Sequence, residues 1–256
     1  MKRLAHISDL HFGRTDPALV LGLAADLQVF GPELCVVTGD LTQRARRTQF
    51  QEAQSFLRDL PFPKLVVPGN HDIAPLWQPL QRLCAPFSRY RRYVADELDS
   101  VFADDELLVL GLSSVRPLRW KEGGLAPRQL RWAEAQVRRY PRRFHVLAAH
   151  HPLGHDARGV LEALERADIA LVLTGHVHRS HSAPLGRPGS ARSLLVAGAS
   201  TATSTRLRGH PNGYNRISLD ADRVELELRT WDGRGFVSQS TARYVRVGRD
   251  WCPDTA

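Results

Sequence analysis

Short, continuous apolar runs punctuate the chain: Leu34-Cys35-Val36-Val37, Leu65-Val66-Val67, Leu107–Leu110, Val146–Ala149, Ile169–Leu173 and Leu194-Leu195-Val196. They do not alternate with polar residues, which suits strands buried on both faces of a sheet. Helical spacing fills the gaps. Val20, Leu23, Leu27 and Phe30 follow Asp16 as a cap and Pro17 as a first residue. Ala53, Leu57 and Leu60 follow a capping-box pair, Thr48 and Gln51. Leu130, Ala133 and Val137 follow Pro127, and Val160, Leu164 and Ala167 form a fourth stripe. Strand–helix–strand alternation every ~30 residues predicts an α/β layered fold.

The pattern changes after Leu194. Tyr214–Leu219, Val224–Thr230 and Phe236–Val247 read as antiparallel strands, with Asp232-Gly233 as a hairpin turn. No Pro/Gly/Ser-rich linker sets them apart, so residues 1–256 are expected to form a single domain. Residues 76–99 break the pattern too. Pro79 and Pro86 interrupt them, and Arg89-Tyr90-Arg91-Arg92-Tyr93 sits inside. They are expected to form an insertion on the rim, whose tyrosines either stack a base or pack the insertion down.

Composition narrows the class. With 43% hydrophobic and 24% charged residues the chain is neither disordered nor fibrous. No apolar run approaches the ~18 residues of a membrane span. Met1-Lys2-Arg3 leads into only four residues before Ser8, too few for a signal peptide. The three cysteines are odd in number and far apart, which agrees with a reducing cytoplasm. The net charge is +8, and all but Lys2, Lys64 and Lys121 of the 35 basic residues are arginines. Such a balance points to an anionic partner, or to a coding bias toward arginine.

Chemistry decides between these readings. His6-Ile7 runs into Ser8-Asp9-Leu10-His11, Val36-Val37 into Thr38-Gly39-Asp40, and Val66-Val67 into Pro68-Gly69-Asn70-His71-Asp72. Ala148-Ala149 runs into His150-His151-Pro152, and Leu171–Leu173 into Thr174-Gly175-His176-Val177-His178. In an α/β sheet the C-terminal strand ends share the edge where ligands bind. Imidazole, carboxylate and amide without thiolate suit manganese, iron or zinc in open coordination. Asp9, His11, Asp40, Asn70, His150, His176 and His178 are too many for one open site. They suffice for two ions about 3.5–4 Å apart if a carboxylate bridges.

This ordered set resembles the calcineurin-like metallophosphoesterases, over positions 9 to 178. The resemblance implies a four-layer α-β-β-α sandwich and a binuclear centre of two divalent ions, manganese first and iron or zinc next. It implies Asp9, His11, Asp40 and His178 at one ion, and Asp40, Asn70, His150 and His176 at the other. It leaves His151 beside the metals or near the substrate. His71 follows the Asn ligand and is expected to serve the leaving oxygen, oriented by Asp72. Gln43 stands where purple acid phosphatases carry Tyr, three residues after the bridging Asp, which argues against that branch. Gly-Asn-His-Asp with His-His-Pro is most similar to the bacterial class III cyclic nucleotide phosphodiesterases. The implied reaction is in-line attack of a metal-bridging hydroxide on a cyclic or other small nucleotide. A nuclease on single-stranded nucleic acid and a hydrolase of an anionic lipid precursor are the alternatives. Arg46, Arg91 and Arg206 are expected to bind substrate, since three of the four arginine clusters fall past C-terminal strand ends or in the rim insertion.

Overall fold

A computed structural model of the chain describes residues 1–119, 122–153, 158–187 and 192–254. In chain order the elements of the first half are β1 (Lys2–Ile7), α1 (Pro17–Phe30), β2 (Leu34–Thr38), α2 (Arg47–Asp59), β3 (Lys64–Val67), α3 (Pro79–Cys84), α4 (Ser88–Tyr93), β4 (Ser100–Ala103) and β5 (Leu107–Gly111). Then come α5 (Pro127–Arg139), β6 (Phe144–Ala148), α6 (Arg158–Arg166), β7 (Leu171–Thr174), β8 (His181–Gly186), β9 (Ser193–Gly198), β10 (Gly213–Leu219), β11 (Arg223–Trp231), β12 (Phe236–Val247) and β13 (Asp250–Pro253).

Two sheets result, one ordered β13-β12-β11-β10-β1-β2-β3 and the other β4-β5-β6-β7-β9-β8. The period-2 geometry of each strand explains how they stack. On β1 and β2, Leu4, Leu34 and Val36 face a core shared with Val109, Val146 and Leu173 of the second sheet. Their neighbours Ala5, Ile7, Cys35 and Val37 face outward onto Leu23 and Leu27 of α1 and Phe50 and Ala53 of α2. On the far side Leu108, Leu110 and Val172 meet Ala133 and Val137 of α5 and Leu161 and Leu164 of α6. The layers therefore run helix, sheet, sheet, helix: the α-β-β-α sandwich expected from the motifs.

Asp16 caps α1 as expected, accepting from the Ala18 N–H at 2.9 Å with Pro17 in the first turn. Thr48 and Gln51 do not start α2. The helix begins at Arg47, and Gln49 accepts from the backbone N–H groups of Arg44 and Arg46, fixing the entry turn two residues earlier. The first residues of the Ile169–Leu173 run precede β7, and β4, β8 and β13 are strands that the apolar pattern did not reveal. β4 and β8 alternate half-buried with exposed residues at sheet edges, so neither carries a continuous apolar run.

Residues 76–99 carry α3 and α4. Tyr90 is fully buried and donates to the Val66 carbonyl at 3.0 Å, and Tyr93 stacks on Phe50. Both tyrosines pack the insertion onto α2 and β3, so Tyr90 is not available to stack a base.

β1, β2 and β3 run parallel in one sheet and β5, β6, β7 and β9 in the other. Their C-terminal ends come to one edge of the sandwich. Backbone bonds tie the loops there: Asp9 N–H to the Gly39 carbonyl at 3.0 Å, His11 N–H to Asp40 at 2.9 Å, and Gly175 N–H to His150 at 2.9 Å.

Candidate active site

All five strand ends deliver their polar side chains to that edge. Donor atoms of Asp9, His11, Asp40 and His178 lie within 4.8 Å of one another, as do those of His150, His151 and His176. His178 Nε2 is 3.1 Å from Asp9 Oδ1 and 3.3 Å from His11 Nε2. Asp40 Oδ2 lies 3.8 Å from His11 Nε2 and 3.5 Å from His150 Nε2, so this carboxylate touches both groups. Asn70 Oδ1 is 3.1 Å from both His150 Nε2 and His176 Nδ1. The seven residues expected as ligands thus converge, with Asp40 joining the two groups and Asn70 lying against the second.

Backbone conformation drives the convergence. Asp9, His11, Asp40, His176 and His178 all adopt left-handed φ between 51° and 69°, a region non-glycine residues rarely occupy. Gly69 is required by close approach: a Cβ there would lie 2.2 Å from Asp40 Oδ1. Each such turn redirects a side chain off the strand end and into the edge. Neighbouring groups then fix the rings. His150 Nδ1 donates to the Thr38 carbonyl at 2.7 Å, Ser8 Oγ to Asp9 Oδ2 at 2.6 Å, and His176 N–H to the same oxygen at 3.0 Å. These bonds leave His150 Nε2 as the lone-pair nitrogen, a common way to orient a metal-binding imidazole.

The cluster is buried and its electrostatics are mutual. Burial alone would raise Asp9, but bonds to His11 and His178 hold its carboxyl well below the usual range. Burial alone would lower His11, but Asp9 and Asp40 raise it. Burial, reinforced by His150, depresses His176 to about 4, and burial with His150 and His176 depresses His151 to about 2. Both rings are therefore neutral at pH 7, the form that binds a cation. Asp9 Oδ1 is buried 3.1 Å from His178 Nε2 and 3.7 Å from His11 Nε2, and no well-aligned hydrogen bond beyond these two rings satisfies it. Buried oxygen and nitrogen lone pairs facing one another are costly without a positive charge among them. The donor set fits divalent metal.

Above this floor opens a cavity of about 470 Å³, lined by Asp40, Gln43, Arg44, Asn70, His71, Ile73, Pro75, Trp77, His176, Arg206 and Arg208. His71 Nδ1 lies 2.7 Å from the Gln43 carbonyl, which accepts only, so Nδ1 carries the proton and Nε2 titrates. Burial lowers this ring, and Arg206 adds to the effect against the pull of Asp40.

A model of the calcineurin-like phosphoesterase family matches residues 2–180. The chain belongs to that family. It is 29% identical, over 58% of its length, to a probable glycerophosphodiester phosphodiesterase of Arcobacter nitrofigilis. It is 25% identical, over 99% of its length and 93% of the relative's, to the 3',5'-cyclic adenosine monophosphate phosphodiesterase of Escherichia coli K12. The chain spans a little over half the length (57% and 56%) of the two glycerophosphodiester relatives. The fold superposes on purple acid phosphatase PPD1 of yellow lupin with a TM-score of 0.70 at 12% identity, covering 94% of this chain and 53% of that one.

In this calcineurin-like phosphoesterase, several supporting roles differ from the sequence reading. Asp72 does not supply the orienting bond of His71, which comes from Gln43. Its carboxylate instead accepts from the N–H groups of Leu41, Thr42 and Gly69 and from the Thr42 hydroxyl, clamping the Asp40 and Asn70 loops together. Burial and Asp40 raise it to about 6. His151 lies in the three-histidine group, with Nδ1 2.9 Å from Ser114 Oγ. Arg206 lines the cavity, whereas Arg46 and Arg91 do not. Arg46 is the residue before α2 and Arg91 lies on α4, both exposed. Arg44 and Arg208 line it instead. Each is the other end of a cluster seen in the sequence, and only the α2 entry turn and the loop after β9 decide which members face inward. Trp77, an isolated aromatic between prolines, carried no sequence signal. Its ring lies under the Arg44 guanidinium at 5.4 Å.

Proposed function

We propose that the chain is a metal-dependent phosphodiesterase with a binuclear centre, acting on a cyclic or other small nucleotide. The observation that carries this reading is the meeting of both ligand groups at Asp40, on the floor of a basic cavity. Asp9, His11, Asp40 and His178 would hold one ion, and Asp40, Asn70, His150 and His176 the other. Such ions, when bound, act as Lewis acids on a phosphoryl oxygen and acidify water. The chain's own groups do the rest. Arg44, Arg206 and Arg208 attract and orient the phosphate, Trp77 and Ile73 bound the organic half, and His71, in its protonated form, passes the Nε2 proton to the departing oxygen. Asp72 positions the loops that carry Asp40 and Asn70. A volume of about 470 Å³ suits a mononucleotide-sized ligand.

The glycerophosphodiester relatives support a second reading, in which the organic half is a glycerol ester. The nuclease reading loses support from Tyr90 and from Arg46 and Arg91 outside the cavity. The three free cysteines agree with a cytoplasmic setting, and no helix among the described residues is long and apolar enough to cross a membrane.

The test is metal analysis of manganese-, iron- and zinc-loaded protein beside hydrolysis of cyclic AMP, glycerophosphocholine, bis-p-nitrophenyl phosphate and p-nitrophenyl phosphate. Two ions per chain, diester preference, and loss of both in Asp40→Ala are expected. One ion per chain, or a monoester preference, would overturn the reading.

A further inference from the structure

We propose that the mouth of the cavity is a docking surface for an anionic lipid bilayer. Two independent observations meet there. The first is apolar. Leu76, Trp77, Leu80 and Leu83 are 57–79% exposed within eight residues of chain. The spacing of Leu76, Leu80 and Leu83 matches helical i, i+4 and i+3 steps, although only the last two lie on α3 itself. α3 is pinned from beneath: buried Arg82 donates to the carbonyls of Ala74 and Pro117. The residue after Pro117, Leu118, is also exposed, at 79%. Exposed apolar groups gathered beside a cavity mark a contact surface rather than ordinary scatter.

The second observation is electrostatic. Three segments supply most of the mouth: 41–51, 73–95 and 199–219. Together they contain ten arginines; Arg82 is buried and Arg216 pairs with Asp26, which leaves eight, and all 27 acidic residues of the chain lie outside these segments. A coding bias toward arginine does not remove Asp and Glu from these segments alone. Arg44, Arg206 and Arg208 are exposed at the cavity, and Leu207, 51% exposed, stands between two of them. Among the described lining residues the sole carboxylate is Asp40.

The combination selects the partner. A second copy of the chain would bring the same eight arginines against these. A nucleic acid would match the arginines but leave the leucines facing water. An anionic bilayer matches both, with Trp and Leu entering the interface and Arg meeting the head groups. Because Trp77 and the three arginines belong to the cavity as well, docking turns the mouth toward the head-group layer. This goes beyond the catalytic reading and does not depend on it.

Sedimentation with phosphatidylcholine vesicles, with and without phosphatidylglycerol, tests it. Binding should be at least ten-fold tighter with the anionic lipid, since each arginine near such a surface contributes roughly five-fold, and should weaken with salt. Leu80→Glu/Leu83→Glu should reduce it ten-fold or more. Its circular dichroism and its hydrolysis of bis-p-nitrophenyl phosphate should be unchanged. Arg138→Gln/Arg139→Gln, on the opposite edge, should bind as wild type. Trp77→Phe should lose the vesicle-induced blue shift in fluorescence. No binding to either vesicle would overturn the proposal. So would a dimer in solution that the leucine variant dissociates, or an oligonucleotide bound more tightly than vesicles and equally by that variant.

Discussion

Gly175→Ala offers a sharp test of how the strand ends that carry the candidate ligands are packed. A Cβ at Gly175 would sit 1.9 Å from Ser8 Oγ and 2.7 Å from Asp9 Oδ2. Both neighbours are fully buried. Ser8 Oγ holds Asp9 Oδ2 at 2.6 Å and lies 3.1 Å from the Thr38 carbonyl, so moving it disturbs both β1 and β2. Overpacking a tight interior costs about 1–3 kcal/mol, and a buried acceptor that loses its donor costs about 1–3 kcal/mol more. The sum, about 2–6 kcal/mol, corresponds to a fall in Tm of roughly 4–24 °C in a chain this long. Loss of an orienting bond to a ligand should weaken metal binding about 10- to 100-fold. The decisive measurement is the double variant. Ser8→Ala alone removes one hydrogen bond, about 1 kcal/mol. With the hydroxyl gone the 1.9 Å clash is removed and Asp9 Oδ2, at 2.7 Å, is the nearest remaining atom, so Ser8→Ala/Gly175→Ala should be more stable than additivity allows. Chemical denaturation of the four proteins gives the coupling. Additivity within about 0.5 kcal/mol, or a Gly175→Ala protein as stable as wild type, would refute the reasoning.

Two further outcomes are expected. If His71 serves the leaving oxygen, His71→Ala should lower kcat about 10²-fold with metal content unchanged. That loss should shrink for a nitrophenolate leaving group, and an equal loss for both leaving groups would assign His71 to positioning alone. His6 is fully buried between Thr38 Oγ1 and Asn215 Nδ2, and burial depresses it to about 3. A base with a depressed folded pKa contributes stability that is complete above its unfolded value near 6.5. That contribution is lost as pH falls through the window from 6.5 toward 3. Between pH 7 and 4.5 wild type should lose about 2–3 kcal/mol more than His6→Asn, and parallel stability curves would show that His6 does not govern this window.

How much was legible follows from where each signal resides. The convergence of the candidate ligands was readable because buried strands make unmistakable apolar runs, and polar residues directly after such runs have one edge to go to. Layering was readable for the same reason. Direction was not. Arg44 faces the cavity and Arg46 does not because Gln49 pulls the α2 entry turn back onto Arg44 and Arg46 N–H groups. Nothing at the level of residue type separates the two arginines. The partner of His71 was misread because a carboxylate one residue away looks like an orienter, whereas a backbone carbonyl contributed by Gln43 has no sequence signature. β4 and β8 were missed because edge strands, wetted on one side, lose the continuous apolar run that marks the inner ones.

The strained residues and the candidate ligands are largely the same residues. Among the described residues, seven other than glycine have left-handed φ, and five of them are Asp9, His11, Asp40, His176 and His178. Each such conformation costs of order 1–3 kcal/mol, less for Asp, Asn and His than for other types. The same five bring carboxylates and rings into a region without water-exposed surface for Asp9, His11, Asp40 and His178. Strain and desolvation thus fall on one small set of atoms. The sheets absorb them because Gly39, Gly69 and Gly175 let the loops approach within contact distance and because backbone bonds lock Asp9 to Gly39 and His11 to Asp40. A fold that needed only to be stable could relieve every one of these costs by substituting apolar residues at the strand ends. That it concentrates them instead, at the one edge where arginines line a cavity, is what ties the architecture of the sandwich to phosphoester chemistry.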